Sequence, residues 1–124
     1  MDQGNKMFSV PVDVVESEVF KAYKDSIKLV YLYLLKITSE SADQQGWIHV
    51  TSVTLHQMTG IGVDAILRAK KQLVKDGYIE LLDKHEQHTD DARRAKRIKV
   101  KDWKALNKVI SQGEEKQISG SFFA

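Results

Sequence analysis

Arg68 and Lys71 stand three positions apart in the stretch "GVDAILRAKKQLVKDG", and a second set of cations follows at Arg93, Arg94, Lys96, Arg97, Lys99 and Lys101. On a helix, residues three apart share a face. A guanidinium there can offer two donors to one guanine edge, and an ammonium can neutralise a phosphate. The plainer reading of the same pair is a solvated helix face. From Arg93 to Lys101 six of nine positions are basic and none is acidic. That run is either an electrostatic footprint or the outer face of a strand.

Other chemistry finds less support. "HEQH" (His85 to His88) lacks the spacing of a helical zinc motif and has no cysteine beside it, so a polar loop is the expectation. His49 and His56 read as structural or surface residues. Gly60 and Gly62 alone do not make a phosphate-cradling loop. No nucleophile–base pair or carboxylate pair stands out. The sequence therefore predicts no enzyme, no metal and no cofactor.

The totals set the frame. The chain has 124 residues, 42% apolar and 29% charged, which suits one globular domain with tails. There is no cysteine, so disulfides and thiolate zinc sites are excluded. No apolar run approaches the ~18 residues of a membrane span, and "MDQGNKMFSV" lacks the basic-then-apolar pattern of a signal peptide. A cytoplasmic protein without membrane contact is expected. The net charge of +2 is too small to argue for nucleic acid by itself.

The elements that must position the cations can be read in order. "MFSVPVDVV" predicts a short edge strand or extended arm around Pro11, and "ESEVFKAYK" a short helix or turn. Ser26 is the predicted cap of a helix over "SIKLVYLYLLKIT". Between Ile27 and Ile37 only Lys28 and Lys36 interrupt apolar residues and tyrosines. That helix needs cover on more than one side, from the N-terminal segment, a partner chain or a C-terminal helix. "SESADQQG" reads as a polar loop and "WIHV" as a short strand. Thr51 or Ser52 caps a helix "SVTLHQMT", with Val53 or Thr54, Leu55 and Met58 at helical spacing, and Gly60 ends it. In the next helix Ile66, Ala69 and Leu73 form a core line, and Gly77 supplies the stop. "YIELLDK" and "KRIKVKDW" predict two strands around the polar excursion "HEQHTDDARRA". Ile79, Leu81, Ile98 and Val100 face in. Asp102 caps a last helix with Trp103, Leu106, Val109 and Ile110 on one side, and "SQGEEKQISGSFFA" is a tail.

A short helix joined through a glycine turn to a longer one is a helix-turn-helix, and the strands after it form a wing. From Ile27 to roughly Val100, "KLVYLYL", "WIHVTSVTLHQMTGIG" and "KQLVKDGYIEL" resemble a winged helix-turn-helix DNA-binding domain. The likeness is greatest to those of replication-initiation proteins of phages and plasmids of Gram-positive bacteria. "VP" at Val10 and Pro11 resembles the arm that precedes that domain. The family usually has alanine at His56, serine at Gly62 and threonine at Ala65. Asp64 adds a negative charge at the helix start.

The expected fold is therefore α+β and mainly helical. It comprises an arm over residues 1–25, a winged-helix domain over 26–101, a C-terminal helix over 102–112 and a tail over 113–124. The resemblance implies a recognition surface at Val63, Asp64, Leu67, Arg68 and Lys71. Thr51 and Ser52 are placed to bond phosphate, and Arg94, Arg97 and Lys99 are the wing contacts. The expected partner is double-stranded DNA, in replication initiation or transcription, with replication or transcription proteins as further partners. A homodimer is expected through Tyr31, Tyr33 and Trp103. The alternative is a winged helix that serves protein assembly.

Overall fold

The computed structural model describes residues 8–104. The expected tail over 113–124 and all but the start of the expected helix over 102–112 lie outside the described residues.

Phe8 to Pro11 form no strand; Pro11 instead precedes a single helical turn, α1 (Val12–Val15). The reason is local. Pro11 sits at the cap position with φ −65° and ψ 117°, a conformation proline favours, and its missing N–H is no loss at a helix start. A second turn, α2 (Glu18–Lys21), is capped by Ser17, whose hydroxyl oxygen accepts from the Phe20 amide at 3.1 Å. The hydroxyl itself donates to the Val14 carbonyl at 2.7 Å.

The long helix α3 (Asp25–Ser41) starts one residue before Ser26, after Lys24, and no side chain caps it. Asp25 in its first turn complements the helix dipole instead. The helix also runs three residues, nearly one turn, into the stretch from Ser39 predicted as a loop. Thr38, Ser39 and Ser41 bond back to the carbonyls of Leu34, Lys36 and Ile37. Lys36 and Glu40 add an ion pair at 2.9 Å one turn apart. Val30, Tyr31, Leu34, Leu35, Ile37 and Thr38 are buried.

The second cover that α3 requires comes from the N-terminal segment. Val14 and Phe20 join the core, and the Phe20 ring meets the Tyr31 ring edge-on at 5.5 Å. Tyr23 donates its phenol proton to Asp76, and Ser17 shares a hydrogen bond of 3.1 Å with the Tyr78 hydroxyl. Tyr31, expected on a dimer face, is thus 0% exposed inside its own chain. Its hydroxyl has no hydrogen-bond partner among the described residues. A buried, unpaired hydroxyl is a liability of about 1–3 kcal/mol. Tyr31→Phe is accordingly expected to unfold at the same or higher urea concentration than wild type, a gain of about 1 kcal/mol. A loss of that size would show that the hydroxyl is engaged.

After α3, Asp43 shapes the turn into β1 (Trp47–Ile48), accepting from the amides of Gln45 and Trp47 at 2.8 and 3.0 Å. Thr51 is the cap of α4 (Ser52–Thr59), accepting from the Thr54 amide at 3.0 Å. Leu55 alone of that helix is buried; Val53 and Met58, expected in the core line, are 57% and 37% exposed. Eight residues give barely two turns, so only one position per helix faces the neighbouring elements squarely. Gly60 closes α4 with φ 79°, the left-handed conformation glycine adopts without strain.

Helix α5 (Val63–Lys75) buries Ile66, Ala69, Lys70 and Leu73. Its end is a Schellman motif: the Tyr78 amide donates to the Leu73 carbonyl at 2.9 Å and the Gly77 amide to Val74 at 3.0 Å, with Gly77 at φ 82°. Three strands follow, β2 (Ile79–Leu82), β3 (His88–Thr89) and β4 (Arg97–Val100). The sheet is antiparallel in the order β1-β4-β2-β3. Ile79 pairs with Val100 and Leu81 with Ile98, and these four with Ile48 form the inner face. Leu82, on the other face, is buried as well. The strand β3 lies within the stretch read as a polar excursion. Asp83 makes it, gathering the amides of His85 and Gln87 at 2.8 and 3.1 Å into a tight turn. The whole is α+β and winged-helix-like.

Candidate nucleic-acid interface

The turn between α4 and α5 fixes how far α5 stands out. His56 donates from Nδ1 to the Ile61 carbonyl at 2.8 Å, and Thr59 accepts from the Ile61 amide at 3.0 Å. His56, in place of a small residue, therefore braces the turn from outside rather than crowding the helix contact; its side is exposed.

On α5 the outer residues Asp64, Arg68 and Lys71 are exposed and Val63 and Leu67 half-buried. Asp64, Leu67, Arg68 and Lys71 form one wall of a groove whose other wall is Asp90, Asp91, Ala92 and Arg93 from the wing. Its charged lining is balanced: Asp64, Asp90 and Asp91 against Arg68, Lys71 and Arg93.

A second groove, of about 250 Å³, opens beside it, where the start of α4 meets α5 and the wing. Thr51, Ser52, Val63, Lys70, Arg93 and Lys96 line it, with no carboxylate. So Thr51, Ser52 and Val63 are brought together, apart from the groove that holds Arg68. Here the charged lining is wholly cationic, whereas the groove along the exposed face of α5 carries as many acids as bases.

The three wing contacts expected from the sequence are elsewhere. Arg97 and Lys99 alternate with the inner residues of β4 and so project from the outer sheet face. Arg97 pairs with Glu86 at 3.0 Å, and Lys99 lies 4.6 Å from the Trp47 ring centroid as a cation–π contact. Arg94 is exposed and 3.6 Å from Asp91. It borders a separate groove with Lys84, His85, Arg93 and Lys96. None of the three lines either groove against α5.

Lys70 was missed, and a signal for it existed. Ile66, Ala69 and Leu73 define the core line, and position 70, four after Ile66, belongs to the same stripe. Lysine there is 2% exposed, donating from Nζ to Ser52 Oγ at 2.9 Å. Burial alone lowers its pKa from 10.5 to about 8. Arg93 and Lys96 were visible as wing cations, but nothing local in the sequence says that they turn toward α5.

Tyr33 and Trp103 are half-buried. His85 and His88 lie on the turn and on β3, and among the described residues no three His, Asp or Glu side chains converge as a metal site. No described helix is long and apolar enough to cross a membrane.

No protein-family model matches this sequence, and no curated protein does. A solved structure described as the N-terminal domain of a DNA-binding protein is similar in fold. It superimposes with a TM-score of 0.55 over 78% of this chain and 75% of that one, at 16% sequence identity.

Proposed function

We propose that the chain is a non-enzymatic module that binds double-stranded DNA through α5, the start of α4 and the wing. The observation that carries this reading is the cation-lined, acid-free groove of Lys70, Arg93 and Lys96 beside the exposed Arg68 and Lys71. The neighbouring fold, whose own description names DNA binding, supports it. In this reading Arg68 meets a base edge, Lys71 a phosphate, and Thr51 and Ser52 a phosphate from the start of α4. Val63, Asp64 and Leu67 complete the surface toward the groove. Arg94 is the remaining wing candidate, and Arg97 and Lys99 would have to leave Glu86 and Trp47 to contribute. Binding at a specific site for phage or plasmid replication initiation, or for transcriptional control, is the role we favour. Pairing of two copies through Tyr33 and Trp103 would present two half-sites.

The acids Asp64, Asp90 and Asp91 favour a second reading, a winged helix that serves protein assembly. Salt separates the two. Fluorescence anisotropy of a labelled duplex should show log affinity falling linearly with log salt, by about 0.9 per neutralised phosphate. Arg68→Ala and Arg93→Ala should each weaken binding by about one to two orders of magnitude, because a lost charge-assisted bond is worth about 1.5–3 kcal/mol. Absence of duplex binding at low salt would sink the DNA reading.

A further inference from the structure

We infer that the groove between α4, α5 and the wing is a seat for a single phosphate of the DNA backbone, gripped from inside by the ammonium of Lys70. The inference rests on the DNA-binding reading and deepens it.

A lysine is rarely enclosed without an anion, because desolvating its charge is costly. Lys70 is 2% exposed and has no ion pair among the described residues. Its single hydrogen bond, to Ser52 Oγ at 2.9 Å, uses one of three N–H donors. The acceptor is neutral, so the charge stays uncompensated. Ser52 then holds an O–H of its own with no acceptor among the described residues. The ammonium and hydroxyl form a short chain of donors that ends in the groove without meeting a negative charge.

Every other charged group on the groove has the same sign. Arg93 and Lys96 reach it from the wing, and no carboxylate lines it. Three cations and the hydroxyl of Ser52 around one small hollow fit a tetrahedral oxyanion, while the Thr51 hydroxyl is held by Thr54 as the helix cap. The burial that lowers the Lys70 pKa to about 8 also marks the group as one that an incoming anion would strongly favour in its charged form. Free phosphate and a DNA phosphodiester share this chemistry. The exposed Arg68 and Lys71 on the adjoining wall favour the polymer, which can engage both grooves at once.

The test is duplex binding by anisotropy across a salt series, for wild type, Lys70→Met and Lys36→Met, with thermal unfolding of each. Methionine nearly conserves the volume and removes a buried charge, so the fold should survive. Lys36, on α3, lines neither groove and controls for loss of one charge anywhere. The expected result is that Lys70→Met weakens binding about tenfold and lowers the salt slope by about 0.9, while Lys36→Met matches wild type. If wild type binds and Lys70→Met binds with equal affinity and slope, the phosphate seat is wrong and the DNA reading stands. Equal losses in both variants would also overturn it, as a general charge effect. No binding by wild type would overturn the DNA reading itself. In a last arm, inorganic phosphate at constant ionic strength should raise the melting temperature of wild type far less than duplex does. A rise that Lys70→Met lacks, together with equal duplex binding by the two proteins, would assign the seat to free phosphate and overturn the assignment to DNA.

Discussion

Lys70→Met should be more stable than wild type at pH 7, by up to about 3 kcal/mol, and should lose a pH dependence that wild type displays. The lysine is 2% exposed, and its pKa falls from 10.5 to about 8 because burial disfavours the charged form. That displacement corresponds to about 3 kcal/mol of differential stability. The folded pKa lies below the unfolded one. Between about 8 and 10.5 the unfolded chain therefore holds more protons, and wild-type stability climbs with pH through that window. Below about 8 the penalty is fully present. Two phenols act oppositely at the upper end. Burial raises the pKa of Tyr31, and burial followed by the bond to Asp76 raises that of Tyr23. Their contribution is present below 10, the ordinary tyrosine value, and is lost as pH rises further. The readable interval is thus pH 8 to 10. Urea unfolding across it should show wild type rising and Lys70→Met flat. A destabilised Lys70→Met, or a flat wild type, would mean that the ammonium is solvated or paired.

A residue that lowers stability and improves binding has a physical logic. Nearly all buried cations sit beside an anion; this one has none among the described residues. Removing it relieves desolvation, as replacement of buried charges by apolar groups often does. The same removal deletes the donor that faces the groove. Stability and affinity should therefore move in opposite directions in one variant, a pattern that general damage to the fold does not produce.

The parts of the fold that were legible depend on local rules. Gly60 and Gly77 announce the two helix ends because only a residue free of a Cβ takes φ near 80° without strain. The period of Ile66, Ala69 and Leu73 fixes which side of α5 is buried. Alternation along Arg97 to Val100 fixes the inner face of β4. The failures are where a side chain competes with the pattern. Pro11 starts a helical turn in a stretch whose alternation suggested an extended arm. Hydroxyls at Thr38, Ser39 and Ser41 satisfy carbonyls and prolong α3 into a polar run. Asp83 builds a turn and a strand from residues with little strand propensity.

The site was less legible than the fold for a different reason. Asp64, Leu67, Arg68 and Lys71, expected on one surface, do line one groove, because helix periodicity places them on one face. Arg97 and Lys99 were chosen on charge, and alternation does send them to the surface. Which surface depends on Glu86 and Trp47, one from a neighbouring turn and one from a strand about fifty positions earlier. Lys70 was passed over because a lysine in a buried stripe is read as facing outward. Charge set the expectation in both cases, and tertiary position decided the outcome.

Gly46→Ala should cost about 3 kcal/mol, from two separable causes. Gly46 has φ 92°, and an L side chain there adds strain of about 1–2 kcal/mol. A Cβ at that position would also lie 2.4 Å from the Cδ2 and Cε2 atoms of Trp103. Overpacking of that kind costs about 1–3 kcal/mol. The indole thus closes over the turn that Asp43 shapes, holding the end of the described chain against the entry to β1. Urea unfolding of a double-mutant cycle separates the causes. In a Trp103→Ala background the indole is gone, and Gly46→Ala should then cost only the backbone strain, about 1–2 kcal/mol. An undiminished cost would place the whole effect in the backbone and leave Trp103 free for the surface role proposed for it. A cost that falls by half or more would show that Trp103 packs on Gly46 within its own chain, so that only the part of the half-buried indole left exposed would be open to a second copy.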